Sequence, residues 1–272
     1  MKNVRPSILA GAWYPGNPSV LKRDILDYLK AAPDLPVEGE IKGLIVPHAG
    51  YVYSGPVAAH AYRLVRDRSY DAVIVIGPSH RYAFAGAAVY PRGGFETPLG
   101  IVPVHEELAD RLTASSVVTV SVQAHAEEHS VEIQLPFLQV VLGDFSFVGL
   151  VMGEQTASVC RDLSCALYEA VLGKNVLMIA SSDLSHFHDA DAAKRLDAVA
   201  LKHVERNDTE GLLASLADGK AEACGGGPMA VVLMTASRLG AKQIRLMKYA
   251  HSGDVTGDHR SVVGYAAAVC YR

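Results

Sequence analysis

The chain has 272 residues, of which half are apolar and a fifth are charged, with a formal net charge of −4. This composition excludes disorder as the main state, because a chain of this length can bury a large apolar core. The net charge gives no sign of the basic surface with which proteins bind nucleic acid. No apolar run in the sequence approaches the ~20 residues of a membrane span. The N-terminus lacks the apolar stretch of a signal peptide, and the four cysteines show no CxxC pair. We therefore expect a cytoplasmic protein that has neither nucleic-acid nor membrane partners.

Hydrophobic periodicity predicts strands and helices in alternation within a single domain spanning residues 1–272. Taken in chain order, the predicted elements are a helix over 19–32, a strand over 41–46, a helix over 54–67, strands over 72–76, 85–90 and 100–104 with a turn at 92–94, a helix over 105–114, a strand over 117–122, a helix over 130–142 bent near Pro136, a strand over 145–152, a helix over 156–172, a strand over 176–180, helices over 189–206 and 228–238, and strands over 244–249 and 262–271. Fully apolar strands between helices are typical of parallel sheets covered on both faces. The predicted fold class is therefore three-layer α/β, with a central mixed, mainly parallel sheet and helices on both sides.

Three of the most apolar predicted strands are each followed by a turn that carries a histidine: His48, His80 and His186. His48 and His80 are separated by about the length of one βαβ unit, which makes their strands parallel. Both side chains should then lie at the carboxyl edge of the sheet, where open α/β sheets bind ligands. A histidine in such a turn could instead only cap the strand end by hydrogen bonding.

A fourth candidate is Cys224, which precedes three glycines and Pro228 at the predicted start of a helix. Glycines let backbone approach a ligand closely, and a helix N-terminus favours a thiolate. The alternative is a small buried residue before a tight turn. The segment from Tyr249 to Asp258, which includes His251, follows a strand and is either another wall of the same cleft or a simple turn.

The segment from His125 to His129 fits the HxxEH pattern of inverted zinc peptidases. On a helix its two histidines would share one face, with Glu128 beside them. Ser130 reads as a helix N-cap, which would instead leave the segment as a loop. A zinc-dependent hydrolase using His125, Glu128 and His129 is therefore an alternative function.

Together these pieces resemble the Memo family, also known as the AmmeMemoRadiSam system protein B family. The motifs that carry the resemblance are Pro47-His48-Ala49-Gly50-Tyr51-Val52-Tyr53-Ser54-Gly55, Gly77-Pro78-Ser79-His80, Thr97-Pro98-Leu99-Gly100, Glu128-His129-Ser130-Val131-Glu132, Leu135-Pro136-Phe137-Leu138, Ser181-Ser182-Asp183-Leu184-Ser185-His186, Ala223-Cys224-Gly225, Ser252-Gly253-Asp254 and Val262-Val263-Gly264-Tyr265. They begin near Trp13 and cover almost the whole chain. The family is similar in fold to class III extradiol dioxygenases.

The resemblance implies a mononuclear non-haem metal site made by His48, His80 and Cys224. It places Asp183 and His186 beside the metal as catalytic residues. The remaining residues expected in the second shell or the cleft are His129, Glu128, His251, Gly225 and Tyr53. Iron is the first metal expected, with copper or zinc as alternatives, since thiolate is a soft ligand that suits all three.

The favoured function is redox or O₂-linked chemistry on an unknown small-molecule substrate. His186 serves as general acid and base, because the unperturbed pKa of histidine lies near neutrality. A thiolate in place of the dioxygenase carboxylate argues against catechol ring cleavage. The alternative is a non-catalytic protein that binds metal or a partner, and the family name points to a radical-SAM partner.

Overall fold

The computed structural model describes residues 3–272. Its strands, numbered in chain order, are β1 (Val4–Arg5), β2 (Ile41–Val46), β3 (Ala72–Pro78), β4 (Ala87–Val89), β5 (Gly94–Thr97), β6 (Gly100–Pro103), β7 (Val118–Val120), β8 (Phe147–Met152), β9 (Val176–Ser181), β10 (His186–His188), β11 (Gln243–His251) and β12 (Val262–Tyr271). Its α-helices are α1 (Pro18–Ala31), α2 (Tyr51–Tyr62), α3 (Glu106–Leu112), α4 (Val122–Ala126), α5 (Leu135–Leu142), α6 (Ala157–Val171), α7 (Ala190–Glu205), α8 (Thr209–Ala217), α9 (Gly226–Arg238) and α10 (Gly253–Thr256). Single 3₁₀ turns span Arg63–Val65 and Glu132–Gln134.

Within residues 3–272, nine strands form the main sheet, in the order β10-β12-β2-β9-β3-β8-β4-β7, with β11 paired to β12. The central strands β2, β9, β3 and β8 run parallel and are entirely buried. Their neighbours β12 and β4 pair with them antiparallel. The predicted mixed sheet is confirmed, with its parallel pairs concentrated in the core.

Helices cover this sheet on both faces, as the predicted three-layer α/β class requires. Helix α2 contacts β2, β11 and β12, and α1 and α5 pack against it. Helix α9 contacts β2, β3 and β9, and α6 and α8 pack against it. Apolar strands with both faces covered remove a large apolar area from water, which is the main force that holds such a sheet together. No helix among the described residues combines the length and apolar character needed to cross a bilayer.

The hairpin after β4 differs from the prediction. The predicted turn at residues 92–94 ends where β5 (Gly94–Thr97) begins, and the chain reverses instead at residues 98–99. There the Thr97 side chain accepts a hydrogen bond from Leu99 N, and Gly100 adopts a φ of +117° that favours glycine. Strands β1, β5 and β6 form a separate small sheet outside the main one.

Two helical segments also differ from the sequence pattern. The predicted bent helix over 130–142 is a 3₁₀ turn (Glu132–Gln134) followed by α5, so Pro136 lies in the first turn of a helix, where its missing N–H costs nothing. Helix α8 was not predicted, because Gly211 weakens its helical pattern. It forms nonetheless, since Asp208 caps its first turn and Leu212 and Leu213 are buried.

Candidate metal centre

Loops from the carboxyl ends of neighbouring parallel strands meet at one point. His48 follows β2, and His80 follows β3, with β9 hydrogen-bonded between them. The ring centroids of the two histidines are 5.1 Å apart, so their predicted proximity is confirmed. Cys224, just before α9, places its Sγ 3.0 Å from Nε2 of His48. Ligand atoms of His48, His80 and Cys224 all lie within 4.8 Å of one another, a spacing that a single metal ion can bridge.

His48 is held from two sides. Its backbone N–H donates to Oδ1 of Asp183 over 2.7 Å, and its Nδ1 lies 3.1 Å from Oγ of Ser181. The side chain is buried, and this burial lowers the pKa of the imidazole to about 3. The ring is therefore neutral at pH 7, with Nε2 on the side that faces Cys224.

His80 is oriented by a carboxylate. Oε2 of Glu128 accepts a hydrogen bond from His80 N over 2.6 Å, and Oε1 lies 3.0 Å from His80 Nδ1. Burial raises the pKa of Glu128, but the hydrogen bonds from His80 and Ser130 outweigh it and hold the pKa at about 2. An ionised carboxylate can only accept, so Nδ1 of His80 carries a proton, and in the neutral ring Nε2 has the lone pair. This carboxylate–histidine arrangement is the usual support of a histidine metal ligand.

The loop that carries the Cys224 sulfur packs closely against the backbone of residues 181–183. Asp183 N donates to Sγ over 3.2 Å, and Gly225 N donates to Oγ of Ser182 over 2.9 Å. A Cβ on Gly225 would lie 2.4 Å from the carbonyl oxygen of Ser181, so only glycine fits here. Burial, together with the charge of Asp183, raises the pKa of the Cys224 thiol well above its ordinary value. Burial therefore outweighs the helix N-terminus that predicted a favoured thiolate, whereas a bound cation would favour the thiolate.

His129 is a third imidazole at the same point. Its ring stacks on His80 with centroids 4.3 Å apart and packs on Trp13 at 4.5 Å. Its Nδ1 lies 3.4 Å from Oε1 of Glu128, so His80, Glu128 and His129 form a second cluster of ligand atoms within 4.8 Å. The oxygens of Glu128 already face two N–H groups of His80 and that of Ser130. Three N–H groups therefore already occupy the oxygens of Glu128.

A cleft of about 440 Å³ opens above the histidines. Its lining consists of Ala12, Trp13, His48, Ala49, Gly50, Tyr53, His80, His129, Asp183, His186, Val263 and Tyr265. His186 Nδ1 lies 2.8 Å from the carbonyl oxygen of Leu184. A carbonyl can only accept, so Nδ1 donates the hydrogen bond, and in the neutral ring Nε2 has the lone pair. Burial raises the pKa of Asp183 to about 6, although hydrogen bonds from His48 and Ala49 oppose the shift.

Two residues predicted for a site lie elsewhere. His125 ends up in the core, with Nε2 3.1 Å from the carbonyl oxygen of Ala88 and its ring against Tyr90. Helix α4 stops at Ala126, so His125 and His129 share no helix face, and the proposed zinc-hydrolase cluster does not form. His251 lies outside the cleft lining and packs on His259, with its backbone N–H bonded to Asp254.

A buried ion pair that we did not predict fixes the segments around the centre. Arg5 and Glu132 pair at 2.5 Å, with their side chains 3% and 0% exposed. The other guanidinium nitrogens donate to the carbonyl oxygens of His125 and Glu128. Glu132 also accepts from Tyr14 OH, which anchors the segment that carries Trp13 to the cleft. In the sequence, the one indication of this ion pair is Glu132 at the end of a family motif. A linear pattern does not show which charged residues will be buried.

The profile of the family described as Memo-like protein matches residues 5–269 of this chain. The chain belongs to the Memo family. A MEMO1 family protein of Thermotoga neapolitana is 39% identical, over 98% of this chain and 99% of the relative. Another, from Thermoplasma volcanium, is 37% identical over 99% of both chains. Both alignments cover nearly the whole of each chain.

A solved structure supports the fold alone. The crystal structure of an uncharacterized protein from Escherichia coli K12 matches with a TM-score of 0.50 and 16% identity, covering 84% of this chain and 99% of that chain. At this identity the likeness concerns architecture and not chemistry. The likeness of this Memo protein to extradiol dioxygenases stays a prediction from the sequence.

Proposed function

We propose that this Memo-family protein binds one transition-metal ion through His48, His80 and Cys224 and carries out redox chemistry on a small substrate in the adjoining cleft. The observation that carries the proposal is the convergence of two imidazoles and one sulfur from three separate loops within 4.8 Å. Proximity alone would also suit a hydrogen-bonded polar cluster. The orientation of each donor adds the second support for a metal, because it distinguishes a set of ligands from such a cluster.

The donor set fits a metal in two respects. Glu128 accepts a hydrogen bond from Nδ1–H of His80, and Ser181 contacts Nδ1 of His48, so in each ring the nitrogen away from the metal has a partner within the protein. Metal-binding histidines almost always have such a partner. A thiolate with two imidazoles suits iron, copper or zinc, and we propose iron, as the family resemblance implies. Bound iron would supply Lewis-acid activation and one-electron chemistry, including chemistry with O₂.

The surrounding residues have distinct proposed roles. His186 takes up or releases a proton at Nε2, because Nδ1 is held by the Leu184 carbonyl. Asp183 holds the backbone of His48 and contributes its backbone N–H to the Cys224 sulfur. Trp13 and Tyr53 line the mouth of the cleft and contact the substrate. The cleft volume falls within the range of about 300–1,000 Å³ that is usual for small-molecule sites.

The proposal is tested by elemental analysis of protein purified without oxygen and reloaded with Fe(II). We expect one iron per chain, and a large loss of affinity in His48→Ala and Cys224→Ala. His60→Ala and Cys165→Ala serve as matched controls, since both residues are half-buried and outside the cleft. Absence of stoichiometric metal after anaerobic loading, or unchanged affinity in the site variants, would contradict the proposal.

Addition of nitric oxide to the iron-loaded protein then distinguishes iron that is open to a substrate or O₂ from iron that is only bound or carried. An iron–nitrosyl signal indicates an open coordination position and supports chemistry at the metal. Stoichiometric iron without that signal would favour a protein that only binds or carries metal. A radical-SAM partner and a cytoplasmic location remain predictions from the sequence.

A further inference from the structure

A chain of buried hydrogen bonds runs from the core to the ring of His48. Tyr62, Gln134 and Ser181 form it, and each of these side chains is at most 1% exposed. Ser181 is the last residue of β9, while Gln134 lies in the 3₁₀ turn before α5. None of the three lines the cleft, so these hydrogen bonds reach His48 from the core, on the side away from the cleft.

The direction of each bond in this chain follows from groups that can only accept. The Gln134 amide contacts the carbonyl oxygen of Pro47 at 2.9 Å, so the atom facing Pro47 must be Nε2. Gln134 Oε1 therefore accepts from Tyr62 OH over 2.8 Å, and Nε2 donates its second proton to Oγ of Ser181 over 2.7 Å. The orientation of the amide is thus fixed at both ends.

The single proton of the Ser181 hydroxyl is also accounted for. Oγ lies 2.6 Å from the carbonyl oxygen of Ser130, which can only accept, so the hydroxyl proton points there. Oγ has no proton left for His48, whose Nδ1 lies 3.1 Å away. That contact is a hydrogen bond only if Nδ1 of His48 carries a proton and donates it to Ser181.

We propose that Ser181 is a positioning residue that keeps the proton of His48 on Nδ1 and so leaves Nε2 free to bind the metal; this role rests on the proposed function. Without Ser181, the neutral ring could move its proton to Nε2 and donate to the Cys224 sulfur 3.0 Å away. The proton would then occupy the nitrogen that the metal needs. The metal would have to displace it, and affinity would fall.

The tautomer is measured directly in metal-free protein carrying ¹⁵N-labelled histidine. Two-bond ¹H–¹⁵N correlation spectra distinguish protonated from unprotonated ring nitrogens, and the signals that disappear in His48→Gln assign the residue. We expect wild-type His48 to carry its proton on Nδ1. In Ser181→Ala we expect a substantial Nε2–H population and a loss of metal affinity of about 10–100-fold.

Ser164→Ala is the matched control, because Ser164 is equally buried but donates to Arg161 O within α6. It should retain both the wild-type tautomer and the wild-type affinity. A proton on Nε2 in the wild type, or an unchanged tautomer in Ser181→Ala, would overturn the inference. The wild-type spectrum is decisive even if Ser181→Ala does not fold. A wild-type protein with the proton on Nδ1 that binds no metal would support the tautomer assignment and contradict only the metal-site proposal.

Discussion

The sulfur of Cys224 lies 3.0 Å from Nε2 of His48, although the two residues are 176 positions apart in the chain. In the metal-free protein the thiol can donate to this nitrogen, since its pKa is raised by burial and that of His48 is lowered. A metal ion would replace the thiol proton with a cation shared by both atoms. The contact therefore places side by side two atoms that would both hold the metal.

Glu128→Gln should weaken metal binding by about 10–100-fold, the usual cost of losing an outer-shell partner. An amide has one oxygen, whereas both Glu128 oxygens accept bonds from His80. The NH₂ group of glutamine would therefore face a donor, and the ring of His80 would lose its orientation. Competition titration with a chromophoric chelator measures the change. Glu127→Gln, one position away and exposed, should bind metal as the wild type does.

His186→Gln should retain full metal stoichiometry. Its imidazole lines the cleft but belongs to neither cluster of ligand atoms among the described residues. Elemental analysis after anaerobic loading checks this, with His48→Gln as the variant expected to lose metal. If His186→Gln also lost its metal, His186 would be a ligand and its role in proton transfer would be withdrawn.

Gly225→Ala should lower both stability and metal affinity. The new Cβ would lie 2.4 Å from Ser181 O and 2.8 Å from Ser182 Cβ, so the loop carrying Cys224 must move. Overpacking of this kind costs about 1–3 kcal/mol of unfolding free energy. Urea denaturation and metal titration measure the two effects. Wild-type values in both would mean that the loop relaxes without moving the sulfur.

Glu132→Gln should reduce the unfolding free energy by about 3–5 kcal/mol, because it leaves Arg5 buried without its charge partner. The comparison variant is Glu106→Gln, which breaks the ion pair with Arg92 in which both side chains are half exposed. That change should cost about 0–1 kcal/mol. Urea denaturation of both variants checks the contrast. Similar losses of unfolding free energy would show that the buried Arg5–Glu132 pair stabilises the fold no more than the exposed pair does.

The elements with the strongest apolar patterns could be predicted from the sequence. Strand β2 (Ile41–Val46) and strand β12 (Val262–Tyr271) have the predicted bounds, because most of their residues are apolar, as expected of strands that are largely buried. The parallel relation of β2 and β3 followed from the length of their connection, and it sufficed to bring His48 and His80 together. Short elements with weak patterns, such as α8 and β5, depended on local caps and turns.

By itself, then, the sequence determined the α/β class, the family and the edge of the sheet where the histidines meet, since these follow from periodicity and ordered motifs. Tertiary structure decided that His125 is a core residue while Glu128 and His129 reach the centre. It also decided the burial that raises the pKa of the Cys224 thiol, and the hydrogen-bonded placement of Ser181, Gln134 and the Arg5–Glu132 pair. Burial and hydrogen-bond direction depend on which distant segments pack together, and a linear pattern does not record that.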